Sequence, residues 1–430
     1  MPHVVIIGCG FGGLAAAREL ANAGADVRIT MIDRSNHHLF QPLLYQVATA
    51  GLSAPAISAP IRAILAQQRN LTTLMAAVTG IDPVGKTVTL EDDSTIAYDH
   101  LIVAAGSTHS YFGRDEWSAL APGLKTLEDA FEIRKRILMA FEHAERESDA
   151  RRRQEWLTFT VIGGGATGVE MAGTLVEIAR HTLSGEFRNI DPHSARVVLL
   201  EGSDRILGAY PPDLSEKARE QLQKLGVDVR TGSRVVHIDE TCVRYANFDG
   251  EQTLATRTVI WSAGVAASPL GKTLGVELDR AGRVPVSAEL NIVGHDDIYV
   301  IGDLAAAQSD GKPVPGVSPA AKQMGRVAAR NIKHRMAGRA PESFVYQDYG
   351  SLATIGRKAA IAMVGKFKFS GYPAWLFWLF VHVYFLIGFR NRMMVMVDWA
   401  WAYFTFKRSA RVISATMPED PRQASKEAAQ

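Results

Sequence analysis

The sequence predicts an α/β fold: two Rossmann-like dinucleotide-binding units and, after them, a C-terminal helical membrane-attachment region. Three observations carry this. Two glycine-rich loops of one design lie about 155 residues apart, Gly8-Cys9-Gly10-Phe11-Gly12-Gly13 and Gly163-Gly164-Gly165-Ala166-Thr167-Gly168. Each follows an apolar strand and has an acidic residue further on, Asp33 for the first and Glu201 for the second. The stretch from Gly371 to Phe389 is crowded with Trp, Phe and Tyr and carries no formally charged residue. One glycine loop would be a weak signal. Two suggest two dinucleotides held face to face, and so an electron-transfer enzyme.

Composition sets the bounds. At 430 residues the chain has room for two or three domains with ample core. Its formal charge of +2, from 47 basic and 45 acidic residues, gives no case for a nucleic-acid partner. The two cysteines, Cys9 and Cys242, make neither a disulfide framework nor a thiolate zinc site. His37, His38 and His382 show no metal-ligand spacing, so no metal is expected.

The elements follow in order. Residues 3–33 read as strand, loop, helix (Gly12 to Ala23, broken at Gly24) and strand (Asp26 to Ile32, ending at Asp33). Residues 71–104 read as short strands, the last of them buried and leading to Ala105-Gly106. Residues 126–155 read as one charged helix with a solvated face. A second β-α-β unit spans 157–201, followed by a helix at 213–225 and further strands to 261. The strand Asp297 to Ile301 leads into Gly302-Asp303. In the tail, Gly371 to Phe389 is short for a membrane span. With Trp375, Trp378, Trp399, Trp401 and flanking arginines, it and Met393 to Phe406 suit a helix pair lying in the membrane interface. The residues from about Pro418 are polar and are expected to be disordered.

The domain boundaries expected from this order are 1–115 and 281–340 for the first nucleotide unit and 116–156 for a helical connection. The second unit takes 157–280 and the membrane-anchoring region 341–430. Met1-Pro2 runs straight into a strand, so the expected location is peripheral, on the cytoplasmic side of the inner membrane.

In the first loop Gly8 permits the tight turn, Gly10 lets the backbone approach phosphate, and Gly13 lets helix and strand pack closely; Gly12 completes the loop. Asp33, 20 residues after Gly13, can accept hydrogen bonds from ribose hydroxyls. Gly163, Gly165 and Gly168 take the same roles in the second loop. Glu201 comes 33 residues after Gly168, beyond the usual spacing of about 20; a longer helix and the loop Phe187 to Ser194 would account for it. Glu201 would repel a 2′-phosphate and favours NADH over NADPH, whereas Arg205 nearby would favour the opposite.

The order of features resembles the two-dinucleotide-binding flavoprotein superfamily. Tyr98 to Ser107 and Asp297 to Asp303 are similar to its two further flavin-contact segments. The resemblance gives the first loop to FAD, with Ala105, Gly106 and Asp303 at the flavin, and the second loop to NADH. A plainer role for Asp303 is a helix N-cap. The chain has no redox cysteine pair, so electrons must leave the flavin directly.

Within the superfamily the chain resembles the type II NADH:quinone oxidoreductases over nearly its whole length. The resemblance includes Leu39 to Gly51, Gly168-Val169-Glu170 and Ala374 to Trp378. Against that family's A-Q-x-A-x-Q quinone motif, Ser318 to Gln323 keeps Ala321 and Gln323 but has Ser318 and Pro319 in place of the first Ala and Gln. The resemblance implies that Gln323 donates its amide to a quinone carbonyl. It also implies that Glu170, placed on the first turn of its helix, couples proton uptake to quinone reduction. Plainer readings are an ordinary helix residue for Gln323 and a favourable charge at a helix N-terminus for Glu170. Lys366 is a further candidate for the quinone channel, or a solvent-facing lysine.

The expected activity is non-proton-pumping transfer of hydride from NADH to FAD, then of two electrons to a membrane quinone (ubiquinone or menaquinone). The expected partners are NADH, the quinone, the membrane surface through residues 371–411, and a second copy in a homodimer. The alternatives are a soluble NAD(P)H-dependent reductase of a protein electron carrier and an NADH-sensing flavoprotein docking a partner.

Overall fold

Val4, Val5 and Ile6 are fully buried, and the strand they form, β1 (His3–Ile7), is the centre around which the first unit winds. The computed structural model describes residues 1–21, 27–408 and 410–413. From β1 the chain passes through the first glycine loop into α1 (Phe11–Leu20), then β2 (Arg28–Asp33). The short helix α2 (Leu44–Ala48) precedes β3 (Leu71–Met75) and β4 (His100–Val103). Two helices, α3 (Leu127–Arg146) and α4 (Ala150–Trp156), lead to β5 (Thr158–Ile162), the second loop and α5 (Ala166–Glu177). Next come β6 (Arg196–Leu200), α6 (Pro212–Leu225), β7 (Val227–Arg230) and β8 (Thr258–Trp261). After β9 (Asn291–Ile292), β10 (His295–Val300) and α7 (Ser318–Met336), the chain makes three antiparallel strands, β11 (Ser351–Gly356), β12 (Ala359–Val364) and β13 (Phe367–Ser370). It ends in α8 (Tyr372–Phe385) and α9 (Phe389–Thr405).

The first sheet has the order β9-β10-β4-β1-β2-β3, parallel except between β9 and β10. Ile6 pairs with Met31 on one side and Ile102 on the other. Tyr299 of β10 pairs with Ile102, so this sheet is completed by a strand that follows the whole second unit. The second sheet, β7-β6-β5-β8, is parallel throughout, with Val161 between Leu199 and Ile260. Near-continuous Val, Ile and Leu are what parallel strands covered on both faces require. Each such side chain contributes roughly 1.5–3 kcal/mol on burial. In both sheets the order reverses beside the loop-bearing strand, which opens a crevice at the carboxyl ends of the strands.

Several expected elements are revised. α1 ends at Leu20; the expected end at Ala23, the break at Gly24 and the strand start at Asp26 lie outside the described residues. The charged stretch 126–155 is two helices. Thr126 and Asp129 form a reciprocal capping box at the start of α3, with Asp129 N to Thr126 Oγ1 at 3.2 Å and Thr126 N to Asp129 Oδ2 at 2.9 Å. Glu147 then leaves helical geometry, and Asp149 caps α4 by accepting from Arg152 N at 2.9 Å. α5 continues into a π-helical turn, Ile178–Thr182, and a loop with the 3-10 turn Pro192–Ser194 follows, which accounts for the late position of Glu201.

In the tail, α8 has 14 residues and α9 has 17. Among the described residues no helix is long and apolar enough to cross a membrane. The four expected interface tryptophans divide. Trp378 is only 2% exposed and stacks on His382 at 4.1 Å. Trp399 packs 5.4 Å from it and donates its indole N–H to Gln46 Oε1 at 2.7 Å. These two hold the tail to the body. Trp375 stacks between Tyr372 and Tyr403, and only Trp401 is exposed. The outward face is formed instead by Phe380, Tyr384, Phe389, Val397, Trp401 and Phe404.

Candidate functional site

The two crevices open into one cavity of about 1560 Å³. Its wall includes Gly8, Gly10, Gly12 and Asp33 of the first unit, Gly165 and Glu170 of the second, and Val381, His382 and Phe385 of α8. Ala105, Gly106, Asp303 and Gln323 also line it.

The loops themselves test whether dinucleotides fit. Gly8 and Gly163 have φ of +92° and +105°, which side chains rarely adopt. A Cβ on Gly13 would lie 1.8 Å from the carbonyl oxygen of Gly8, and one on Gly168 would lie 1.8 Å from that of Gly163. A Cβ on Gly10 or Gly165 would meet nothing within 4 Å. The backbone is therefore tight where helix must meet strand and open where a pyrophosphate would lie, in both loops. Gly12 is a packing position, where a Cβ would stand 3.0 Å from Ile301 and 3.1 Å from the Ala321 carbonyl oxygen.

The two acids repeat one another. Asp33 Oδ2 accepts from Cys9 N at 2.6 Å and its Oδ1 from Ser35 N at 2.7 Å. Glu201 Oε2 accepts from Gly164 N at 2.5 Å and its Oε1 from Ser203 N at 2.7 Å. Each carboxylate braces its own loop and keeps lone pairs for a ribose hydroxyl. Glu201 sits beside the second loop rather than on the cavity wall. Arg205 turns away, giving Nη2 to the Gly208 carbonyl at 3.3 Å. Cys9 is buried, and burial, with Asp33 adding to it, pushes its thiol up to about 12, so it is chemically inert at neutral pH.

Asp303 lies in a 3-10 turn, Gly302–Leu304, whose N-cap is Ile301, so it is not a helix cap. It accepts from Ser107 Oγ at 2.8 Å, and Ser107 in turn accepts from Lys125 Nζ at 2.9 Å. Burial lowers the Lys125 ammonium, and the charge of Asp303 offsets this. Sequence reasoning missed Lys125 and Ser107 as a pair, because their meeting depends on three distant segments. The one local signal was the capping box that fixes the chain immediately after Lys125.

Glu170 is the fifth residue of α5, not in its first turn, so the helix N-terminus gives it little. It is buried, and desolvation raises its carboxyl well above the ordinary range, only partly offset by a hydrogen bond from the Thr354 backbone. Tyr45 and Tyr210 lie close enough for the Glu170 charge to raise both phenols further than burial alone. Glu170 thus holds its proton more tightly than an exposed carboxyl does, and it faces the cavity.

Gln323 faces the same cavity, but its amide is engaged. Nε2 donates to the Gln347 carbonyl and Oε1 accepts from Gln347 N, both at 2.9 Å. One N–H remains, so the expected free donor is only half available. Its neighbour Lys322 was not singled out by the sequence. Its Nζ sits 5.0 Å from the rings of both Phe11 and Phe385, and burial with Arg326 and Arg18 nearby lowers it to about 8. His382 donates its Nδ1–H to the Trp378 carbonyl at 2.7 Å, and burial drops its imidazole to about 4, so the ring is neutral. Lys366 is exposed at the turn between β12 and β13, away from the cavity. Among the described residues no cluster of His, Cys, Asp and Glu could hold a metal.

Comparison with known proteins shows the family and the fold. The family model described as Pyridine nucleotide-disulphide oxidoreductase matches residues 2–325, and that described as NDH2 C-terminal domain matches residues 349–408. The type II NADH:quinone oxidoreductase Ndh of Mycobacterium tuberculosis is 46% identical over 423 residues, covering 96% of this chain and 90% of that protein. A second protein of that organism, the type II NADH:quinone oxidoreductase NdhA, is 45% identical with the same coverage. NDH2 from Plasmodium falciparum, solved in complex with NADH, superposes with a TM-score of 0.86 over 95% of this chain and 99% of that one. At 19% identity it shares the fold.

Proposed function

Because the chain belongs to the type II NADH:quinone oxidoreductase family, FAD-dependent NADH dehydrogenases that reduce a quinone, we propose how the cavity that both glycine loops line divides that work. FAD, when bound, supplies the two-electron relay between NADH and quinone. The first loop and the N-terminus of α1 would hold its pyrophosphate, Asp33 its ribose, and Asp303, oriented by Ser107 and Lys125, its ribitol side. Residues 1–115 and 281–340 form this unit, which the pairing of β10 with β4 supports.

The second loop holds the NADH pyrophosphate in the same way. Glu201 accepts from the ribose hydroxyls and disfavours a 2′-phosphate. Quinone enters between α7 and α8, past Lys322, Gln323, Val381 and His382. Glu170 holds a proton at the boundary of the nucleotide unit and α2, ready to supply one of the two protons that quinol formation requires. The exposed aromatic face of α8 and α9 lies on the membrane surface, peripherally, on the cytoplasmic side of the inner membrane, where NADH is available.

The carrying observation is that one cavity reaches both glycine loops and the apolar helix α8. The test is stopped-flow absorbance. NADH should bleach the flavin band in a first mix, and a short-chain quinone should restore it in a second. A flavin reduced by NADH yet reoxidised no faster by quinone than by buffer would refute the quinone arm.

A further inference from the structure

A second cavity, of about 650 Å³, lies between α8 and α9. It is distinct from the nucleotide cavity. α8 turns Phe377 and Val381 toward the first, and Leu376, Leu379 and Phe380 toward the second. The walls are aromatic and aliphatic, with Tyr45 and Gln46 of α2 at the base.

Among the described residues, three formally charged side chains line it: Glu177, Arg357 and Arg408. Glu177 is already used, since it accepts from Arg408 Nη2 at 3.1 Å and from the Arg357 backbone N at 2.5 Å. Arg408 also gives a hydrogen bond to the Thr49 carbonyl at 2.9 Å. Arg357 is different. Its guanidinium lies over Phe406 and Tyr403, 3.9 and 4.4 Å from the ring centroids. Its Nε and Nη1 are buried and have no hydrogen-bond partner among the described residues. Buried guanidinium donors without acceptors are costly, and an anion is what relieves the cost.

We propose that this cleft holds one anionic phospholipid, its acyl chain between α8 and α9 and its phosphate against Arg357. The proposal rests on the reading that the helix pair docks on a membrane. The occupant must be apolar over most of its length, because the walls are. It must carry an acceptor-rich anion at one end, because the lining has one uncompensated positive charge. It must also arrive from the face where Phe380 and Phe404 are exposed, which is the face that meets the membrane. A zwitterionic headgroup fits worse, since its cation would approach Arg357 and Lys358, whose Nζ lies 5.3 Å from the Tyr403 ring.

The test uses lipid-free holoenzyme in mild detergent and phosphatidylglycerol with dibrominated acyl chains, which quench nearby indoles. Trp375 and Trp399 line the cleft, so tryptophan emission reports occupancy. The expected result is saturable quenching at one lipid per chain, about tenfold tighter than for dibrominated phosphatidylcholine. Arg357→Gln should abolish that preference while keeping its flavin spectrum and its rate with short-chain quinone; Arg357→Lys should restore part of it. Equal affinity for the two lipids, displacement of the lipid by a short-chain quinone at its KM, or shielding of these tryptophans in a lipid-free dimer would each overturn the proposal. Sedimentation with liposomes separates the two levels. A wild type that stays in the supernatant refutes membrane docking itself, whereas one that sediments without selective quenching refutes only the lipid site.

Discussion

The carboxylate of Asp33 accepts the backbone N–H of Cys9 at 2.6 Å, reaching back from the end of one strand to the loop that follows another. Glu201 does the same to Gly164. An acid expected to meet a ribose is therefore also a brace of the phosphate loop, and removing it has two effects.

For Glu201→Gln, one acceptor oxygen stays for the Gly164 N–H while the charge is lost. FAD content should be unchanged, and the ratio of kcat/KM for NADPH over NADH should rise about tenfold, which corresponds to roughly 1.4 kcal/mol of removed repulsion. Steady-state kinetics with both nucleotides measure it. A ratio equal to that of the wild type would remove Glu201 from the specificity determinants.

Gly10 and Gly13 should fail differently. Gly10→Val has room in the folded chain, so circular dichroism should stay native while flavin retention falls by about tenfold or more. Gly13→Ala places a methyl 1.8 Å from a carbonyl oxygen and should lower the yield of folded protein itself. Comparable losses of fold in both would contradict the division between an open and a packed glycine.

Glu170→Gln should keep the flavin spectrum and slow quinone reduction by about 100-fold or more, the size of a lost proton-transfer group. Stability gives an independent readout. The folded carboxyl is raised by burial, so above its unfolded value of 4.5 the folded state holds a proton that the unfolded state has released. Wild-type stability therefore falls as pH rises from there toward the folded value. The variant lacks this term. Melting temperatures measured from pH 5 to pH 9 should fall less in Glu170→Gln than in the wild type; parallel curves would mean the carboxyl is ionised in the fold.

Lys322, lowered to about 8 by burial, should set a limb in the quinone half-reaction. As pH rises through 8 the ammonium is lost, and kcat/KM for quinone should fall. Lys322→Gln should start lower and show no such limb, with the rate of flavin reduction by NADH unaffected. A limb that persists in the variant assigns the titration to another group.

The contact of Trp399 with Gln46 should be worth about 1 kcal/mol as a hydrogen bond, and Trp378 about 3–5 kcal/mol as a buried ring. Gln46→Ala should lower thermal stability modestly and Trp378→Ala severely. Trp401→Ala, at an exposed ring, should leave it within about 0.5 kcal/mol. Differential scanning fluorimetry ranks the three.

What the sequence could reveal depended on how local each signal was. A glycine loop, its strand and its helix are contiguous, and the turn, the phosphate gap and the close packing each demand glycine at a fixed offset. The Lys125–Ser107–Asp303 arrangement has no such offsets, because a crossover between the two units brings its members together. The break between α3 and α4 was in principle readable from Asp149 ahead of an arginine run, but a shared charge pattern masked it. The tail shows the opposite limit. α8 is apolar on every side, so composition revealed its affinity for a nonpolar phase without indicating that Trp378 faces the protein and Phe380 faces out. Likewise Gln323 was identifiable as a motif position, but its clasp on the Gln347 backbone was not.

The insertion of the second unit between β4 and β10 has a consequence for biosynthesis. Until residues near Val300 leave the ribosome, β4 is an unpaired edge with Leu101, Ile102 and Val103 exposed beside it. The inserted half, contiguous in the nascent chain, can close its own sheet first. The half that begins at the amino terminus must wait, with a sticky border that invites mispairing between neighbouring nascent chains on one messenger.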